Sequence, residues 1–391
     1  MTADRLLREV ERIRPVLEDG GRQAEAERAL PDAAYDAMLD AGLFRMLVPR
    51  AFGGLELHPV EAYRVVEAVA RIDSAAAWNL NQSSGVAALA AWLPKDGGQE
   101  LYARGPDVIC AGGFFPPGPS VPIEGGWRLT ARTSFVSGCN RAHWFGVPML
   151  EVAEDASRFD PKREDPPPIV GFVPRDEVDL LDTWRTSGMR GTGSADVSVD
   201  DVFVPERRVA HIDPNRERAP ALSGPLYGLW PWLTSLGEAT VSVGIAMAAI
   251  EELADLALRK KPSYSRIPLH ERAMAQHQAG RARALTDASR AFLNAAASEA
   301  YADAERAGRY SEETRVRCQL AASFGTESCA EAVDLVCAAA GSSAIRLEHG
   351  FERHHRDVHA LTKHTYRSPA RYEDIGKILF GLPPDFWVLD L

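Results

Sequence analysis

Residues 106–210 interrupt a chain that is otherwise helical in character, and this interruption limits the fold more than any other feature. From Pro106 to Ala210 the chain carries Gly-Gly pairs, Pro runs and β-branched residues. Gly126-Trp127-Arg128-Leu129-Thr130 alternates after a Gly-Gly turn, and Val197-Ser198-Val199 and Val202-Phe203-Val204 read as strands too. On the N-terminal side, Arg5–Leu17, Arg22–Leu39 and Pro59–Ile72 are rich in helix formers, with a start at Pro31-Asp32, a stop at Gly42 and a turn at Phe52-Gly53-Gly54. Ala75–Leu93 is apolar and Ala-rich, which predicts a buried helix. On the C-terminal side, Leu236–Lys260, His270–Ala307 and Ser311–Ala340 are long Ala-rich runs, followed by shorter helices over Gly350–Thr365 and Pro369–Leu379. Long helices joined by short loops predict a bundle.

The expected fold class is therefore α+β. A helical domain over residues 1–105 precedes a β-barrel-like domain over 106–215, and a four-helix bundle over 225–391 follows a Pro/Gly linker. The charged, Pro-rich stretch Glu154–Pro168 reads as a surface loop. At 391 residues the chain exceeds one ordinary core. Its net charge of -11 argues against a nucleic-acid partner. The charged start Met1-Thr2-Ala3-Asp4-Arg5 has no apolar signal segment, and the apolar runs, broken by Glu and Gly, predict no membrane span. Five scattered cysteines with no Cys-x-x-Cys pair suit a reducing cytoplasm.

The order of these regions, together with several motifs, resembles the acyl-CoA dehydrogenase superfamily, and more closely its two-component flavin monooxygenase branch, the hydroxyphenylacetate and dibenzothiophene monooxygenases among them. The motifs are Val48-Pro49 through Phe52-Gly53-Gly54, Gly125-Gly126-Trp127, Phe135-Val136-Ser137-Gly138, Gly188-Met189-Arg190-Gly191-Thr192-Gly193-Ser194, Val202-Phe203-Val204-Pro205 and Arg356-Asp357-Val358-His359. One departure is decisive. Dehydrogenases carry a catalytic Glu after the Arg-Asp pair, whereas Val358–Tyr366 offers no carboxylate. The base that removes a proton beside a thioester carbonyl is missing. His364 stands in that stretch, as a histidine does beside the flavin in the monooxygenase branch.

The resemblance implies a reduced-flavin monooxygenase that hydroxylates a small aromatic or polyketide-like substrate through a flavin C4a-hydroperoxide. Reduced FMN, or FAD, would come from a separate reductase, since no nicotinamide-binding unit is visible, and O2 is the co-substrate. A homotetramer is implied. Alternatives are an N-oxygenase of an amine or amino sugar, a dehydrogenase with a displaced base, and a non-catalytic flavin-binding scaffold.

His364 would serve as a proton donor titrating near ~6.5, or else cap a helix end. Ser137 would face flavin N5 and C4a, or else be a turn serine. Gly113, Phe114 and Phe135 are expected around the cofactor. Ser342 and Ser343, after Ala340-Gly341, would bind flavin polar groups or simply follow a helix C-cap. Lys261, within Arg259-Lys260-Lys261-Pro262, is the candidate for the flavin phosphate, although the Arg and Phe-Gly pair of the dehydrogenases are missing in register. Gly188–Ser194 lacks the spacing and flanks of a dinucleotide fingerprint and reads as a loop lining the site, with Arg190 in a structural ion pair. Trp78 and Trp184 are the substrate-pocket candidates, with Phe115, Trp230 and Trp232 also weighed against core packing. His354-His355, with His349 and His359, do not converge four ligands and show no acidic second shell, so no metal is expected.

Overall fold

A computed structural model describes residues 2–113, 116–152, 169–212, 222–229 and 231–389. The predicted surface loop Glu154–Pro168 lies outside the described residues.

The N-terminal region contains α1 (Ala3–Glu27), α2 (Asp32–Asp40), α3 (Pro59–Ala70), α4 (Ser74–Ala88) and α5 (Lys95–Leu101). The first helix runs unbroken through Pro15 and Gly20-Gly21, where the sequence suggested a gap between two helices. The glycine pair serves close packing instead. A Cβ on Gly20 would lie 3.0 Å from the Ala34 Cβ, and one on Gly21 would lie 2.0 Å from Asp73 Oδ2. The buried helix predicted over Ala75–Leu93 is α4 followed by a 3-10 turn over Leu89–Trp92. Asp73 caps it, accepting from Ala76 N at 2.7 Å.

The central strands are β1 (Cys110–Gly112), β2 (Gly118–Ile123), β3 (Gly126–Val136), β4 (Trp144–Glu151), β5 (Ile169–Pro174), β6 (Asp179–Leu181), β7 (Ala195–Pro205) and β8 (Val209–Ala210). They form one 8-stranded sheet in the order β6-β7-β3-β2-β4-β5-β8, with β1 parallel to β4. The two Val-rich runs predicted as separate strands are one strand, β7, paired antiparallel to β3 with a register shift between Leu129 and Ala131. Alternation sends Leu129, Ala131, Val197 and Val199 into the sheet's own core.

The C-terminal region holds α6 (Trp232–Arg259), α7 (Ala273–Ala307), α8 (Glu312–Ala340), α9 (Phe351–Leu361) and α10 (Ala370–Leu379). Small residues such as Ala282, Ala296, Ala300, Ala321 and Ala322 are fully buried, so α7 and α8 approach closely. By length and composition, α8 with its extension to Ile345 is the one helix among the described residues long and apolar enough to cross a membrane. It packs instead against α6, α7 and α9. The predicted helix Gly350–Thr365 ends early: α9 stops at Leu361, and His364 caps a separate 3-10 turn over Thr365–Arg367. This places His364 on a turn between two helices rather than at a helix end.

Candidate active site

Three parts of the fold meet at Trp78. The first is the end of β3. Phe135 takes φ +60 and Gly138 φ +70, so the chain turns sharply around Ser137. Ser137 is buried, and its Oγ accepts from Trp78 Nε1 at 2.9 Å and contacts Ser194 Oγ at 2.7 Å. Ser194 Oγ lies 2.6 Å from Thr192 Oγ1, whose proton is committed to the Met189 carbonyl at 2.8 Å. Each hydroxyl carries one proton. Thr192 must therefore accept from Ser194, and Ser194 from Ser137. The Ser137 proton points inward along this relay, and its oxygen has one lone pair left to accept a further donor.

The second part is the turn after α9. His364 meets the Trp78 ring edge-on at 5.7 Å, and its Nδ1 accepts from Tyr366 N at 3.4 Å. The turn is held from α8 by Gln319, which donates to the Tyr366 carbonyl at 2.7 Å. Burial pushes the His364 imidazole down to about 4, the nearby Glu238 opposing and Arg367 adding to the shift. About a third of the His364 side chain stays accessible. The ring is thus neutral at pH 7. This corrects the expectation of a donor titrating near ~6.5; desolvation outweighs the neighbouring carboxylate.

The third part is a buried charge pair. Arg367 is fully buried and bonds Glu238 from α6, and its guanidinium carbon lies 5.3 Å from the Trp78 ring centroid. Gln82 also donates to Glu238, and His364 Nδ1 lies 3.7 Å from it. Burial would raise the Glu238 carboxyl, but the Arg367 charge and the Arg367 and Gln82 hydrogen bonds hold it below its ordinary value. Arg367 Nε and Nη2 have no hydrogen-bond partner among the described residues.

The glycine-rich loop between β6 and β7 is pinned by α9. Asp357 accepts from Met189 N at 2.6 Å and from Ser74 Oγ at 2.6 Å. A Cβ on Gly188 would lie 2.1 Å from the Arg356 carbonyl, so only glycine passes there. Arg190 donates to the Glu25 carbonyl at 2.9 Å and stays within the protein's own framework. Trp184 gives its Nε1 to the Met189 and Arg190 carbonyls at 3.2 and 3.1 Å, and its ring meets Phe135 edge-on at 6.0 Å. Phe135 itself is 72% exposed.

The remaining predicted residues divide. Gly113 allows close packing, since a Cβ there would lie 2.5 Å from Thr133 Cγ2. Phe114, Phe115 and Trp230 lie outside the described residues, and Trp232 is fully buried in the helical core. Ser342 and Lys261 are exposed. Of the two predicted serines, Ser343 meets a lysine, Lys260, whose Nζ donates to Ser343 Oγ at 2.8 Å and to the Ala340 carbonyl at 2.6 Å. Sequence reasoning placed Thr192 and Ser194 only within a loop lining the site, without their relay to Ser137, and missed Glu238, Arg367 and Gln82. One signal was available: Glu238 is the only charge in the apolar run Trp232–Met247, and a lone carboxylate there requires a partner.

Acid stability follows in part from the two histidines pushed down furthest, His354 and His364. Burial also pushes His354 down to about 4, with Arg353 adding to it. Between the ordinary value of ~6.5 and about 4, the unfolded chain holds protons at His354 and His364 that the folded chain lacks. Stability is therefore expected to fall as pH drops through that window and to be independent of these two rings above it. Thermal unfolding across a pH series checks this, and His354→Asn should make the slope shallower.

The arrangement offers an accepting hydroxyl and a neutral imidazole, both against Trp78, and the carboxylate nearest them among the described residues, Glu238, is bound by Arg367. Two family models match the chain: "Acyl-CoA dehydrogenase, N-terminal domain" over residues 10–100 and "Acyl-CoA dehydrogenase, C-terminal domain" over 236–369, together more than half of it. The chain is 28% identical to a pigment production hydroxylase of Rhodococcus sp., covering 98% of both chains. It is 28% identical to an indole-3-acetate monooxygenase of Acinetobacter baumannii, over 88% of this chain and 85% of the relative. To the flavin-dependent monooxygenase oxygenase subunit HsaA of Mycobacterium tuberculosis it is 27% identical over 98% and 97%. The crystal structure of the HsaA monooxygenase superposes with a TM-score of 0.88 at 25% identity, covering 99% of this chain and 100% of that one. The chain belongs to the acyl-CoA dehydrogenase superfamily, in its branch of flavin-dependent monooxygenase oxygenase components.

Proposed function

We propose that this protein hydroxylates a small aromatic substrate, using O2 and reduced flavin, FMN or FAD, delivered by a separate reductase. The observation that carries the reading is His364 against Trp78 and Ser137, in the stretch where a dehydrogenase needs a carboxylate. The donor set fits a flavin. Phe135, two residues before Ser137, presents exposed apolar surface and meets the partly buried Trp184 ring edge-on. The open lone pair of Ser137 accepts a donor, which reduced flavin has at N5 and oxidised flavin lacks. Lys260 with Ser343, or Lys261, supports the flavin's polar end.

Reduced flavin, when bound, supplies the two electrons that split O2, one oxygen atom entering the ring and the other leaving as water. Ser137 orients the cofactor by accepting, with its own proton held by Ser194. His364 offers a neutral N–H, its Nδ1 being occupied by Tyr366 N. Trp78, itself buried, holds Ser137 through its Nε1 and receives Arg367 on its ring. Copies of the chain are proposed to form a homotetramer in the cytoplasm; the exposed Leu379, Phe380 and Leu382 support a subunit contact.

A displaced dehydrogenase base is the second reading, and Glu238 is its natural candidate, 3.7 Å from His364. Glu238 is bound to Arg367 and held below its ordinary value, whereas a general base works best near the operating pH. The expected results are tighter binding of photoreduced than of oxidised flavin, by about 2- to 10-fold from one hydrogen bond, and loss of that preference in Ser137→Ala. Equilibrium titrations measure both. Equal affinities in the unaltered protein, with dye reduction driven by acyl-CoA, would overturn the assignment.

A further inference from the structure

We propose that Asp334, His355 and His359 form a binding site for a divalent transition cation of the zinc, cobalt or nickel class, clamping α9 onto α8. The sequence alone argued against a metal, because the histidines of this region do not converge four ligands. The fold supplies what sequence spacing could not, a carboxylate from the neighbouring helix. His355 and His359 stand four residues apart on α9 and so share one face. Their rings lie 4.4 Å apart at 49°. His359 Nε2 is 2.8 Å and His355 Nε2 is 3.3 Å from the same oxygen, Asp334 Oδ1. The three ligand atoms lie within 4.8 Å of one another.

A tetrahedral cation with ligands at ~2.0–2.1 Å sets neighbouring ligand atoms about 3.3 Å apart. Both Asp334 distances therefore need shifts of about half an ångström or less, and the two imidazoles need to close toward each other. Two imidazoles and one carboxylate suit zinc-like ions; the all-oxygen preference of calcium and magnesium disfavours them. Three protein ligands leave a position for water. Asp334 and His355 are about half exposed and His359 about one-third, so a hydrated ion can reach them.

The other histidine–carboxylate group, formed by His349 before α9, His354 on α9 and Glu252 on α6, serves as a contrast. His349 and His354 approach different oxygens of Glu252, at 3.5 and 3.6 Å, and one of those oxygens already accepts from Gly350 N at 2.8 Å. Its ligand atoms do not converge. A cation on the Asp334 side would fix the helix that holds Asp357 against the Met189 loop and leads into the His364 turn.

Titrating the chelator-stripped full chain with cobalt chloride tests the proposal. The expected result is one saturable cobalt per chain with visible d–d absorbance, weakened by at least about tenfold in His355→Ala and in His359→Ala and unchanged in His349→Ala. Zinc chloride should raise the thermal unfolding temperature of the unaltered protein but not of the His355→Ala/His359→Ala variant. Asp334→Asn provides the same cobalt readout should a histidine variant fail to fold. No saturable cobalt at millimolar concentration, or cobalt binding in the His355, His359 and Asp334 variants as tight as in the unaltered protein, would overturn the site.

Discussion

His364→Ala is expected to fold and to take up flavin, yet to hydroxylate about 100- to 1000-fold more slowly, the loss associated with removing one positioned donor from a water-excluded site. Oxygen consumption should continue, the missing product appearing as hydrogen peroxide. The ring caps a single turn through one long contact, 3.4 Å from Tyr366 N, so its removal costs little of the fold. Its chemical contribution is larger because burial keeps it neutral, with Nδ1 accepting and Nε2 left to carry the proton. A neutral ring with a value of about 4 gives no acid limb near pH 6.5 in the hydroxylation profile. His277→Ala, an exposed change on α7, is the control. Product and peroxide are measured together with indole-3-acetate as a trial substrate. If His364→Ala leaves their ratio as in the unaltered protein, His364 is a turn cap and nothing more.

Arg367→Met should lower stability by about 3–5 kcal/mol, because it strands the Glu238 carboxylate in the interior. Glu238 is 4% and Arg367 0% exposed, so water cannot compensate for the lost partner. The effect is not that of a surface pair, worth about 0–1 kcal/mol. Adding Glu238→Gln to Arg367→Met should restore much of the loss, since the stranded charge then disappears and Gln82 still has a partner. Urea unfolding of the two single variants and the double variant gives the coupling. Destabilisation by Arg367→Met within about 0.5 kcal/mol of zero, as at an ordinary surface site, would show that the pair is not integral to the core. The same substitution removes the cation from the Trp78 ring, so the variant also reports on how firmly Trp78 holds Ser137.

The order of helices, sheet and helices was legible because Ala-rich runs and β-branched, Gly-punctuated stretches differ in composition over long windows. Local meaning was harder. Gly20-Gly21 looked like a break, yet the pair lies inside α1 because Asp73 and Ala34 press against it from residues distant in sequence. Ser137 and His364 were singled out through family motifs, which name positions but not environments, and the fold brings both against Trp78. The environment changed the chemistry: desolvation moved His364 well below its ordinary range. The relay through Ser194 and Thr192 joins residues 57 apart, and Glu238 meets Arg367 across 129 residues. No local pattern encodes such pairings; they exist only once α6, the glycine-rich loop and the turn after α9 are packed around Trp78. Asp334 joins His355 and His359 for the same reason.

Labelled oxygen distinguishes the proposed oxygenase from a dehydrogenase most directly. The protein would be loaded anaerobically with photoreduced flavin, mixed with 18O2 and either indole or indole-3-acetate, and the products weighed by mass spectrometry. The expected result is a hydroxylated aromatic carrying one 18O atom per molecule, with no oxidation of acyl-CoA in a parallel dye assay. Unlabelled aromatic recovered intact, alongside acyl-CoA-dependent dye reduction that disappears in Glu238→Gln, would contradict it.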